Sequence, residues 1–279
     1  MNLFEPFQFA FFRNGFIVAV LAGAICGLIG VYVVLRQMSY IGHGLSHSIF
    51  GGAAASAVLS VNFYLGAGLW GLLSALMIGR VARRGKIGSD AAIGVITTAS
   101  FAMGLALSNV FGQAKRSIDA VLFGSILGVG SADVIAVVGA GLLSVAVIYS
   151  CYRQLLFATF DPEVADVSGV KVARMEALLM LMLATTILFT MKVMGVLLIS
   201  AMLVTPAATA RMMTNSFSRM LTIAPIIGAT CGGIGMLLSY HLDVSPGATI
   251  ILLASIVFLV VFTVTGSRGR RNIGGLAHH

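Results

Sequence analysis

Residues 37–79 read QMSYIGHGLSHSIFGGAAASAVLSVNFYLGAGLWGLLSALMIG, forty-three positions without one Asp, Glu, Lys or Arg. A helix needs about 20 apolar residues to cross the hydrocarbon core of a bilayer. The stretch is long enough for two crossings, with a turn expected near Asn62. Outward from it the pattern repeats: charge-free runs cover 14–35, 91–114, 134–152, 177–191, 193–210, 220–242 and 244–267. The run 120–132 is too short to span and reads as a re-entrant or surface-lying helix. The expected fold class is all-α, a polytopic transmembrane bundle of about nine crossings, within a range of eight to ten. Strands of strict alternation are missing, which argues against a membrane β-barrel.

Composition agrees. Of 279 residues, 59% are apolar and only 9% are charged, against roughly 25% charged residues in soluble domains. So few charges cannot cover a water-soluble surface, which excludes a cytosolic enzyme, a nucleic-acid-binding domain and a disordered chain. The net charge of +8 is therefore read through the positive-inside rule. With the loop 80–86 in the cytoplasm, alternation brings Arg36 and the segments 153–174, 211–219 and 268–271 to the same side. Thirteen of the seventeen basic residues then lie inside and the N-terminus lies outside. This divides the chain into an N-terminal segment 1–13, a transmembrane domain 14–266 and a basic cytoplasmic tail 267–279. The start does not read as a cleaved signal peptide, because the apolar run from Asn14 is of full spanning length. Cys26, Cys151 and Cys231 are far apart and form no CxxC pair, so neither a disulfide framework nor a thiolate metal site is indicated.

The first chemical anomaly lies in the opening stretch. His43 and His47 stand four residues apart, which on a helix puts both imidazoles on one face. Ionisable residues within a membrane are costly and usually face a cavity or pathway. Imidazole suits zinc, copper, iron and nickel, whereas manganese prefers more oxygen. The pair reads either as two neutral histidines bonded to Ser39, Ser46 or Ser48, or as a cation site. The second is preferred, because the pair is isolated in a charge-free run. Two ligands do not complete a site; the rest must come from another helix, a second subunit or water.

A second feature is the segment 160–170, Phe-Asp-Pro-Glu-Val-Ala-Asp-Val-Ser-Gly-Val. Asp161 suits an N-cap, Pro162 the first helical position, Glu163 the first turn and Gly169 the stop. A short capped helix in the longest hydrophilic loop reads as a docking element for a soluble partner. Pro206, inside an apolar run, removes one helical hydrogen bond and kinks its helix, reading either as an irregularity that lines a cavity or as a kink tolerated among small residues. His241 and Asp243 sit in an expected outer turn, where they either gather cations at an entrance or are simply solvated. Asp119 is placed at an outer vestibule, while Asp133 and Asp90 read as helix N-terminal acids. The chain has no phosphate loop ending in Gly-Lys-Ser/Thr, no HExxH and no GxSxG elbow. It is expected to be no enzyme and to hold no permanent cofactor.

In order along the chain, several short motifs resemble one family. They are Val33-Val34-Leu35-Arg36-Gln37-Met38-Ser39-Tyr40-Ile41-Gly42, Leu45-Ser46-His47-Ser48, Asp90-Ala91-Ala92-Ile93-Gly94 and Leu122-Phe123-Gly124-Ser125-Ile126-Leu127. Asp161-Pro162-Glu163, Val204-Thr205-Pro206-Ala207-Ala208-Thr209-Ala210 and Pro246-Gly247-Ala248 follow. The chain resembles, over roughly 14–266, the permease subunit of bacterial ABC importers for zinc, manganese and iron, the group that works with cluster A-I binding proteins. The resemblance implies a multi-pass protein of the bacterial inner membrane. It implies a second permease copy, a pair of cytoplasmic ATPases that carry the ATP, and an extracellular or periplasmic metal-binding protein. The helix at 161–169, with Asp161, Pro162, Glu163, Ala165 and Gly169, would be the coupling helix received by the ATPase. In the family the second-helix motif usually reads Gly-Asp-x-x-x-His, and its Asp and His are taken as metal-contacting. His47 matches that His; His43 stands where the Asp is expected. Two imidazoles per subunit make a softer site, which favours zinc over manganese as the transported ion. The rivals are an ABC permease for a metal chelate or siderophore, an intramembrane metalloenzyme, and an ion channel needing no ATPase.

Overall fold

The computed structural model describes residues 5–59, 61–83, 88–111 and 129–274. Among them every regular element is helical. A short 3-10 turn, Glu5–Gln8, precedes α1 (Ala10–Leu35). Next come α2 (Ile41–Val58), α3 (Phe63–Arg83), α4 (Ser89–Phe111) and α5 (Ser131–Ser150). The short helices α6 (Tyr152–Phe160) and α7 (Pro162–Val167) lead into α8 (Val172–Met213). The last two helices are α9 (Phe217–Leu242) and α10 (Pro246–Gly274). Seven helices among the described residues are long and apolar enough to cross a membrane. Two further apolar helices, α2 and Leu198–Met213, fall at the positions of the remaining expected crossings. Nine crossings is thus an approximate count. Most of the expected re-entrant segment, 120–128, and Asp119 lie outside the described residues.

The double-length run turns where expected. α2 ends at Val58 and α3 starts at Phe63. Between them the Tyr64 N–H donates to the Asn62 side-chain oxygen at 2.9 Å, the local bond by which Asn favours turns.

α1 is the central helix. In its most apolar window 67% of residues are buried, against 17% in α10, whose Leu252, Ile256, Leu259 and Phe262 face outward. Glycine lets α9 approach α1 closely. A Cβ on Gly23 would run into the Gly228 carbonyl, one on Gly27 into that of Ala224, and one on Gly232 into that of Ala19. Small residues at these positions let the two backbones touch.

α8 is two helices joined at Gly195, whose φ of 75° and ψ of 161° lie outside helical space in a region that essentially only glycine occupies. The chain reverses there. Before the break, α8 runs from Met180, beside Gly79 near the end of α3, to Leu188, beside Gly68 near its start. After the break it returns, with Met202 at the level of Gly23 and Ala207 at Gly30 of α1. Gly195 is buried between the buried Met194 and Leu198, so its irregular backbone is shielded by protein, as a break at membrane depth must be. Pro206 sits inside the helix, and Gly195 is the one position in α8 with non-helical backbone angles.

Candidate functional site

α2 begins after a tight link and carries the histidines in its first two turns. Small residues fix which way they face. A Cβ on Gly44 would stand 2.6 Å from the Ile93 side chain and 2.8 Å from that of Thr97, and one on Gly51 would meet the Ser100 carbonyl. α4 is therefore pressed against the glycine face of α2. The imidazoles emerge beside that seam, both half-buried.

The His43 and His47 rings turn toward one another. Their Nε2 atoms are 3.1 Å apart, and the ring centroids 4.5 Å apart at 77°. Tyr40 lies against His43 at 5.4 Å, and Phe101 of α4 against His47 at 5.0 Å. The serines named as alternative partners do not take this role. Ser46 donates instead to the Gly42 carbonyl at 2.6 Å, and the buried Ser48 hydroxyl has no hydrogen-bond partner. Two ring nitrogens this close could hold one cation between them. A metal about 2.05 Å from each, an ordinary zinc–imidazole distance, would subtend roughly 100° between them. That angle lies between octahedral and tetrahedral values, so the pair accepts either geometry. Among the described residues no group of three or more His, Cys, Asp or Glu could hold a metal ion. The pair alone could supply at most two ligands.

The other sequence-derived positions are spread over the molecule. The Asp161 side chain accepts the Val164 N–H at 3.0 Å, and Pro162 occupies the first turn of α7. Ala165 is buried, while Val164 and Val167 are exposed. Gly169 ends the turn with a φ of 84°. Asp133 accepts the Gly130 N–H at 2.9 Å in the first turn of α5, in the role expected of it. His241 and Asp243 lie at the far end of α9. Asp243 is the left-handed cap of that helix, and His241 Nε2 is buried without a hydrogen-bond partner. They form no multidentate cluster.

Two polar clusters escaped the sequence reading. At one end Tyr64 donates to Asp133 at 2.9 Å, and Asn14 donates to the Val129 carbonyl at 3.3 Å, tying α3, α5 and α1. At the other end Glu176 lies between Arg36 and Arg83. The signal for the second was present, since Glu176 is the one acidic residue between Asp166 and Asp243. Its partners were not legible, because they come from helices remote in sequence.

Comparison with known proteins agrees with the geometry. The family model described as the ABC 3 transport family matches residues 8–265. The manganese transport system membrane protein MntC of Listeria monocytogenes is 34% identical over 262 residues, covering 94% of this chain and 93% of that protein. The manganese import system permease protein ScaB of Streptococcus parasanguinis is 36% identical over 274 residues, covering 98% and 96%. Among solved structures, PsaBC from Streptococcus pneumoniae in complex with Fab superposes with a TM-score of 0.82. It is 35% identical, and 93% of this chain and 94% of that one are covered. Matched over nearly its whole length, this all-helical multi-pass chain belongs to the ABC 3 transport family of metal-ion permeases.

Proposed function

We propose that this chain is the membrane-spanning permease of an ATP-driven importer of a divalent transition-metal ion. It would work in the bacterial inner membrane with residues 14–266 as its transport domain and 267–279 as a cytoplasmic tail. The observation that carries the reading is the 3.1 Å approach of His43 Nε2 to His47 Nε2 on a half-buried face of α2. A second copy of the chain, meeting the first along this face, would bring two more imidazoles and complete a four-nitrogen site. Such a site binds transiently, since transport needs release as much as capture. The donor set favours zinc, and the names of the relatives speak for manganese.

ATP would be hydrolysed by a separate ATPase dimer docking on α7, whose exposed Val164 and Val167 and capped N-terminus offer a rigid knob. A binding protein outside would deliver the metal. Alternating access would follow when α7 moves. The chain would itself carry out no covalent chemistry.

The test is uptake into proteoliposomes that contain the permease, its ATPase and its binding protein. Zinc, manganese and iron(II) are offered singly and in competition. ATP-dependent uptake that His47→Ala abolishes, with the complex still assembled, is the expected result. Uptake by that variant equal to the native chain would refute the site and leave a chelate permease as the better reading.

A further inference from the structure

Between α1 and α2 the chain makes a tight, hydrogen-bonded link. Gln37 adopts a left-handed φ of 56°. Its N–H donates to Val34, the Met38 N–H to Val33 and the Ile41 N–H to Met38, at 3.1, 3.0 and 2.9 Å. This is a helix stop with both closing bonds in place, and the Ile41 N–H bond to Met38 joins it directly to the first turn of α2. His43 lies two residues beyond Ile41.

The Arg36 side chain is only 8% exposed. Its guanidinium spends its donors on three partners from two other helices. Nε donates to Thr159 Oγ1 at 3.3 Å and Nη2 to the Ala158 carbonyl at 3.2 Å, both in the last turns of α6. Nη1 is 3.7 Å from Glu176 at the start of α8. Glu176 in turn faces Arg83, at the end of α3, at 3.3 Å. α6 runs straight into α7, with Asp161 serving as the stop of one and the cap of the other. A cavity of about 290 Å³ beside the cluster, bordered by Gln37, Arg83, Ser89 and Pro162, leaves space for α7 to shift against α4.

We propose that Arg36 is the positioning residue that transmits movement of α7 to the histidine-bearing start of α2. The inference rests on the reading of α7 as the ATPase docking element. The rigid fork is essential to it. A guanidinium holds several acceptors at fixed angles at once, whereas an ammonium is a single flexible point charge. Arg36 touches neither metal nor nucleotide; it makes the end of α6 and the beginning of α2 one body. Pulling on α7 then tilts the first turns of α2, and with them the imidazole pair.

The experiment measures, in the reconstituted complex, the number of ATP molecules hydrolysed per metal ion imported. Arg36→Lys keeps the charge facing Glu176 and loses the fork. Thr159→Val removes the acceptor facing Arg36 Nε, together with the local bond Thr159 donates to the Leu155 carbonyl, and is the milder variant should Arg36→Lys fail to assemble. Val167→Glu is the docking control, and ATPase co-purification is measured for every variant. The expected result is normal co-purification of the Arg36→Lys and Thr159→Val complexes with an ATP-to-metal ratio raised at least about five-fold, the lower range of an ordinary coupling free energy. A merely structural role lowers hydrolysis and uptake in proportion, and an unchanged ratio in assembled complexes would overturn the proposal. If Val167→Glu co-purifies and transports like the native chain, the docking reading itself fails, and the transmission proposal falls with it.

Discussion

His43 Nε2 and His47 Nε2 stand 3.1 Å apart with their ring planes nearly perpendicular. In this arrangement one ring nitrogen donates to the other. On the proposed reading, a cation taken up between them would require the donating ring to carry its proton on Nδ1 instead.

Removing either imidazole leaves a single ligand per subunit. His47→Ala is expected to reduce ATP-dependent uptake by more than the roughly 10–100-fold typical of losing an outer-shell partner. His43→Asp restores a carboxylate next to one imidazole and is expected to move the zinc-to-manganese ratio toward manganese. Competitive uptake of the two ions by native and variant complexes checks both.

Uptake is expected to weaken as the pH is lowered. Metal ligation requires the neutral ring, so protonation competes with the cation. The sign is fixed: lower pH, weaker transport. His43→Asp should make that loss shallower, because a carboxylate stays ionised down to about 4. Initial uptake rates against pH, at constant ATP hydrolysis, decide the point.

Gly195→Ala forces a side chain into a backbone conformation reserved for glycine. It is expected to destabilise the permease by about 1–3 kcal/mol. Gly139→Ala is the control, since a Cβ there meets nothing within 4 Å. Thermal unfolding in detergent should show a lowered midpoint for the first and an equal or raised one for the second.

Asp161→Ala removes the acceptor of the Val164 N–H. A lost N-cap of this kind costs about 1 kcal/mol, spent here on a helix of only six residues. α7 should fray, and the affinity of the permease for its ATPase should fall several-fold while the transmembrane bundle keeps its melting temperature. Titration of labelled ATPase against native and variant permease measures it.

The comparison of sequence with structure is instructive at particular residues. The turn at Asn62, the cap at Asp161, the stop at Gly169 and the helix-start role of Asp133 were legible because each depends on neighbours within one turn. The convergence of His43 and His47 was legible for the same reason, as a consequence of helical spacing. The break of α8 at Gly195, where the backbone leaves helical space, was not legible, because no local pattern marks that glycine out.

The sequence by itself determined a membrane protein built of helices, the approximate number of its crossings, the capped helix α7 and a pair of imidazoles on one face. These follow from the length of apolar runs and from periodicity, which act locally. Only the tertiary structure decided that α9 lies against α1 through Gly228 and Gly23. It also decided that the histidines face one another rather than the serines, and that Arg36 reaches Thr159 across 123 positions of sequence. Such pairings depend on how whole helices pack, and packing is set by the joint fit of many side chains that no local pattern records.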